Sequence, residues 1–241
     1  MSDPEPSPPT ARAARRELGP ALALGVFAAG AAVFVRISDE MVEGETHAFD
    51  RHVLALLRHA GDLSKPIGPA WLQTAATDVT SLGSLTDLGL IVLAAAGFFL
   101  SLRRFRESAT LVLAAGGGLL LSQLFKAWFG RARPDAIFRL VPVVNASFPS
   151  GHAMLSAVVF LTLGALIARF ARRRRVKVYA LGVGVTATLL VGASRVYLGA
   201  HWPTDVLAGW SLGAAWATLC WLGEWAWDRR AGRAAPSNED A

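Results

Sequence analysis

Six apolar runs, each close to twenty residues long, punctuate this chain: Leu18–Val35, Thr86–Leu102, Ser108–Phe129, Ala153–Phe170, Val178–Val196 and Thr204–Leu222. About 20 residues at 1.5 Å each cross the ~30 Å of hydrocarbon in a bilayer. Lipid offers no water to bond the backbone, so each run must satisfy its own N–H and C=O groups, and a single segment does that as a helix. The runs therefore predict an all-α protein, an integral membrane bundle of six transmembrane helices.

The charge inventory agrees. Only 17% of residues are charged, where a soluble domain carries about a quarter. The net charge of +6 does not point to nucleic acid, because the basic residues fall in short clusters between apolar runs. Such clusters read as topology signals facing anionic headgroups. Arg12, Arg15 and Arg16, Arg103, Arg104 and Arg106, the ARRRRVK stretch with Arg169, and Arg229, Arg230 and Arg233 fall on one side and make up the larger share of the 24 Lys and Arg. The positive-inside rule then puts both termini in the cytoplasm, in agreement with an even number of spans. The run from Leu18 is longer than a signal-peptide core and more spans follow, so it reads as a retained first helix. Residues 1–17, rich in proline and charge, are predicted to be a disordered cytoplasmic tail. The membrane domain covers 18–223, and 224–241 forms a second cytoplasmic tail. The segment 37–83 lies outside and is partly helical: Phe49, Val53, Leu56 and Leu57 share one face at helical spacing, suited to the membrane surface or to covering the bundle's outer mouth. The single cysteine, Cys220, excludes an intrachain disulfide.

Three polar stretches stand out. KAWFGRARP carries Lys126 and, seven residues on, Arg133-Pro134; a second is Pro149-Ser150-Gly151-His152; the third, SRVYLGAHWPTD, carries Ser194-Arg195, His201 and Asp205. On the six-span topology all of them fall on the outer face. Lys126, Arg133 and Arg195 bring three cations together, with arginine's planar fork suited to phosphate oxygens. Ser150 is a good N-cap, Gly151 permits close backbone approach, and the start of the fourth span offers free N–H groups and the positive end of its dipole. Asp205, four residues after His201, can hold one ring nitrogen and leave the other free to attack phosphorus. His152, on another helix, can protonate the leaving oxygen and later activate water. Neutralisation by cations and a helix terminus needs no metal and no cofactor.

Each residue also has a plainer reading. Lys126, Arg131, Arg133 and Arg139 could be interfacial side chains snorkelling to headgroups; Asp205 could serve a helix dipole, and a single histidine is more often interfacial than catalytic. Arg195, at the end of an apolar run, fits that reading poorly. The conjunction of two histidines, three cations and one aspartate on one face favours chemistry. His47, His52 and His59 lack such company and read as surface residues of the outer segment.

The ordered set Lys126-x6-Arg133-Pro134, Pro149-Ser150-Gly151-His152 and Ser194-Arg195-x5-His201-x3-Asp205 resembles the three-part signature of the type 2 phosphatidic acid phosphatase superfamily, with no departure from it. The resemblance covers residues 126–205. It implies a six-helix membrane phosphatase in which His201 is the nucleophile that forms a phosphohistidine, Asp205 its orienting partner and His152 the general acid. Lys126, Arg133, Ser150, Gly151 and Arg195 would bind the phosphate, with no metal. Implied partners are a lipid phosphate substrate and membrane lipids: phosphatidic acid, phosphatidylglycerol phosphate, diacylglycerol pyrophosphate or undecaprenyl pyrophosphate. The expected location is a bacterial cytoplasmic membrane, with the site on the extracytoplasmic face. Phosphoryl transfer to another lipid, or headgroup capture without catalysis, are the alternative readings; the second needs cations but no paired nucleophile and acid.

Overall fold

The computed structural model describes residues 11–230 and Gly232, with side chains described from Leu18 onward. The expected tails therefore lie largely outside the described residues, although helical backbone reaches from Ala11 at one end to Arg230 at the other. Eight α-helices occur among the described residues: α1 (Ala11–Val42), α2 (Thr46–Leu56), α3 (Ala70–Ser81), α4 (Leu85–Ser101), α5 (Phe105–Phe129), α6 (Gly151–Phe170), α7 (Arg174–Tyr197) and α8 (Pro203–Arg230). Five of them are long and apolar enough to cross a membrane alone. The pair α3–α4 passes the same test only together, bends by 50° at its break and, counted as one span, brings the candidates to six. The bundle is that of an integral membrane protein.

Helix α6 is the axis. Of its most apolar 18-residue window 56% is buried, against 6% for α1, and it packs on α5, α7 and α8, while α1 lies along α8. Lipid tails are as apolar as leucine, so helices associate here through fit rather than through escape from water. Gly209 and Gly213 provide that fit on α8. A Cβ on Gly209 would stand 2.7 Å from the Ser150 carbonyl oxygen, and one on Gly213 would stand 2.8 Å from Ala157 Cβ. The two backbones are nearly in contact along this edge. On the far side of α6, Leu155, Val159 and Leu166 interlock with Leu88, Val92 and Phe99 of α4 and Leu111 of α5.

The outer segment is partly helical, as expected. Helix α2 turns Thr46, Asp50 and Leu54 inward, while Phe49 and Leu56 of the expected apolar face are 52% and 62% exposed. Beneath α2, Leu54 meets Phe138 and Trp202 while Thr46 and Asp50 meet Arg131 and Thr204, so polar and apolar partners together set the rotation. A small antiparallel hairpin, β1 (Arg58–His59) and β2 (Asp62–Pro66), follows. Its Arg58 is buried and donates to the carbonyls of Leu57, Tyr197 and Phe138, which ties the hairpin to the end of α7. His47, His52 and His59 are exposed, as expected. At the opposite end of the bundle Asp228 of α8 binds Arg106 of α5 at 2.9 Å and Arg169 of α6 at 2.6 Å, and Arg169 also pairs with Glu224.

The α6–α8 approach makes a direct prediction. Gly213→Val forces the two helices apart, and overpacking of this kind costs about 1–3 kcal/mol. Thermal unfolding of the detergent-purified variant should begin at a lower temperature than wild type, whereas Gly223→Ala, where a Cβ meets nothing within 4 Å, should be silent.

Candidate active site

All eight residues singled out in the sequence meet at one end of the bundle. Lys126 lies in the last turn of α5 and Arg195 in the last turn of α7. Ser150 precedes α6, and its hydroxyl accepts from the Ala153 N–H at 3.5 Å. Gly151 and His152 form the first turn of that helix, and a Cβ on Gly151 would rest 3.5 Å from Lys126 Cε. His152 has the cations Arg195, Lys126 and Arg133 and the imidazole of His201 as neighbours. Gly83, at the α3–α4 break, backs onto it: a Cβ there would sit 3.3 Å from His152 Cβ and Cδ2 and collide with Val191.

His201 and Asp205 flank the start of α8, both buried. Asp205 Oδ2 accepts from the Trp202 N–H at 2.9 Å, so the carboxylate reaches back across the first turn and caps it. The same oxygen stands 3.4 Å from His201 Nδ1 and also accepts from the Ser147 hydroxyl, whose oxygen lies 3.3 Å from Nδ1. On the other side of the ring, His201 Nε2 faces Arg133 Nη1 at 3.2 Å. A guanidinium only donates, so Nε2 presents its lone pair and the ring proton sits on Nδ1, toward Ser147 and Asp205. Burial pushes the imidazole pKa down to about 3, against the pull of Asp205, which keeps the ring neutral. A second link is through the main chain: the Ser150 N–H donates to the Asp205 carbonyl at 3.0 Å and joins the start of α6 to α8.

The cations divide into two kinds. Lys126 Nζ donates to the Ala146 carbonyl at 2.8 Å; Arg133 donates to the carbonyls of Ala200 at 2.7 Å, Asn145 at 3.0 Å and Val144 at 3.1 Å; Arg195 Nη1 donates to Thr80 Oγ1 at 3.1 Å. None of the three has a carboxylate in an ion pair among the described residues, and the buried Arg195 Nε has no partner at all. Burial lowers the Arg133 pKa, yet a guanidinium remains charged. Three positive charges thus converge with only neutral protein partners. Arg131 is the opposite case. It was expected among interfacial residues, but it is largely buried and bound to Asp205 at 2.6 Å and Asp50 at 2.7 Å. Arg131, Asp50 and Ser147 were not singled out as site residues in the sequence. Only Arg131 carried a usable signal, its place inside the KAWFGRARP stretch.

Phosphatidylglycerophosphatase B of Bacillus subtilis is 40% identical over 147 residues, which are 59% of this chain and 70% of that protein. The undecaprenyl-diphosphatase of Sulfolobus acidocaldarius is 32% identical over 110 residues, 44% of this chain and 49% of its own length. Among solved structures, that of a transmembrane PAP2-type phosphatidylglycerolphosphate phosphatase from Bacillus subtilis superposes with a TM-score of 0.67 at 28% identity, over 86% of this chain and 96% of that one. The family model of the PAP2 superfamily matches residues 107–229, from the start of α5 to the end of α8. That stretch is half of the chain and contains the whole constellation of cations, histidines and carboxylate; the chain belongs to the PAP2 superfamily.

Proposed function

We propose that this chain hydrolyses the phosphate of a membrane lipid through a phosphohistidine on His201, at the extracytoplasmic surface. The observation that carries the reading is the set of three cations without carboxylate ion pairs, Lys126 and Arg195 buried and Arg133 partly buried, gathered around a neutral histidine whose Nε2 lone pair faces Arg133. A phosphate group supplies the missing negative charge, and its phosphorus then lies in front of Nε2. As the Nε2–P bond forms, the P–O bond to the lipid breaks and His152 donates a proton to the leaving oxygen. In the second step His152 takes a proton from water, the resulting hydroxide attacks phosphorus, the N–P bond breaks and inorganic phosphate leaves. Lys126, Arg133, Arg195 and the N–H groups at the start of α6 stabilise the equatorial oxygens in both steps. Asp205 and Ser147 hold the Nδ1 proton and stabilise the ring as it becomes positive.

The names of the Bacillus relative and of the solved neighbour favour a phosphomonoester, phosphatidylglycerol phosphate above all. The name of the Sulfolobus relative keeps a lipid pyrophosphate in view. The basic ARRRRVK stretch, at the end of α6 opposite His152, supports an outward-facing site through the positive-inside rule.

Phosphate release by the purified protein from phosphatidylglycerol phosphate, phosphatidic acid, diacylglycerol pyrophosphate and undecaprenyl pyrophosphate tests the reading. Release should persist in EDTA, since protein cations perform the neutralisation. His201→Ala should abolish it, and His152→Ala should slow it by about 10²–10⁴-fold, the usual worth of a general acid. Release lost in EDTA and restored by a divalent ion, or His201→Ala matching wild type, would count against the mechanism.

A separate prediction concerns the ring itself. A histidine whose pKa is lowered by burial stays neutral as pH falls, so ¹⁵N spectra of histidine-labelled protein should show His201 as the Nδ1–H tautomer from pH 8 down to pH 5. Protonation at an ordinary histidine pKa of about 6.5 would contradict the assignment.

A further inference from the structure

Asp50 lies far from every motif stretch, on α2 of the outer segment, and is fully buried. Its Oδ1 accepts from the Thr204 N–H at 2.9 Å and its Oδ2 from Thr204 Oγ1 at 2.7 Å, both in the first turn of α8. Oδ2 also accepts from Arg131 Nη2 at 2.7 Å, and the same Nη2 donates to Thr46 Oγ1 at 2.9 Å. The other arm of the fork, Arg131 Nη1, donates to Asp205 Oδ1 at 2.6 Å and Thr204 Oγ1 at 2.9 Å. One planar guanidinium thus joins a carboxylate of the outer segment to the carboxylate beside His201.

We propose that Asp50 is a positioning residue for the reaction at His201, acting through the Arg131 fork on Asp205. The inference rests on the reading of His201 as the nucleophile. Arg131 holds the far oxygen of Asp205, which aims the near oxygen at Nδ1. Asp50 holds the other arm of Arg131 and so fixes the plane of the fork. The charges matter as well as the angles. Two carboxylates and one guanidinium leave one net negative charge beside a ring that turns positive as the N–P bond forms. Without Asp50 the Arg131 charge is balanced by Asp205 alone, and the field of that carboxylate at the ring is cancelled where low dielectric makes it strong. The loss falls on the chemical step. Phosphate binding is spared, because Lys126, Arg133 and Arg195 do not touch Asp50.

A capping contact to α8 alone would act on stability instead, and the two roles separate in kinetics. Asp50→Asn keeps size and shape and removes the charge. Removing an outer partner of this kind lowers kcat by about 10–100-fold, with KM unchanged, and phosphoenzyme trapped by rapid quench from ³²P-labelled phosphatidic acid should accumulate more slowly by the same factor. In the double variant Asp50→Asn/Arg131→Gln the kcat should equal that of Arg131→Gln, since the two act as one unit. Size-exclusion chromatography and thermal unfolding report whether each variant is folded. An unchanged kcat, or a raised KM at unchanged kcat, overturns the proposal. Should Asp50→Asn fold poorly, Asp50→Ser removes the same charge with a smaller side chain and leaves Arg131 paired with Asp205; its lowered kcat at wild-type KM supports the proposal and a wild-type kcat overturns it. A wild-type protein that releases no phosphate from any lipid overturns the phosphatase reading and this inference with it, whereas an active wild type with an unaffected Asp50→Asn overturns this inference alone.

Discussion

Positive charge without a local counter-charge, held where water is scarce, is the constraint around which this end of the molecule is built. A buried guanidinium or ammonium is costly unless its donors are satisfied. The protein meets that cost with backbone carbonyls: Ala146 for Lys126, and Ala200, Val144 and Asn145 for Arg133. Carbonyls accept hydrogen bonds without cancelling the charge, so the field that attracts an anion survives. To present them, the chain between α5 and α6 and the turn between α7 and α8 must run irregularly beside the site. Helix α2, packed on α8, and the β1–β2 hairpin, tied through Arg58 to Tyr197 and Phe138, flank this irregular chain.

Much of the site could be read from the sequence because its chemistry is local there. Pro149-Ser150-Gly151-His152 is a helix start with a histidine in its first turn, and His201 and Asp205 are separated by one helical turn. Both placements follow from spacing alone. Lys126 and Arg195 were placed by the ends of apolar runs, and the structure has each in the last turn of its helix. The span count was equally accessible, since a bilayer demands uninterrupted apolar length.

What escaped was long-range or polar. Arg131 and Asp50 are 81 positions apart, and nothing in either neighbourhood announces the pair; a lone arginine near a membrane boundary looks like a headgroup contact. Apolar periodicity puts Phe49 and Leu56 on one face of α2, which the structure leaves exposed; it says nothing of the opposite, polar face, where the surface that receives α2 offers Arg131 and Thr204 and the helix turns Asp50 toward them. The broken α3–α4 crossing was half seen: α3 is too mixed in polarity to register as a span, yet its Thr80 holds Arg195 and the Gly83 break supports His152.

The near-contact of α6 and α8 has a bearing on what keeps the two histidines in register. The helix that begins with His152 and the turn that holds Asp205 share a main-chain hydrogen bond, and below it Gly209 and Gly213 leave no gap for a wedge. His152 and His201 are therefore spaced by backbone rather than by flexible side chains alone. Parting the two helices would break the bond that sets the start of α6 against Asp205. A ligand that reaches the site without parting α6 from α8 leaves that spacing intact, so the register of the two histidines is a property of the helix pair and not of whatever occupies the site.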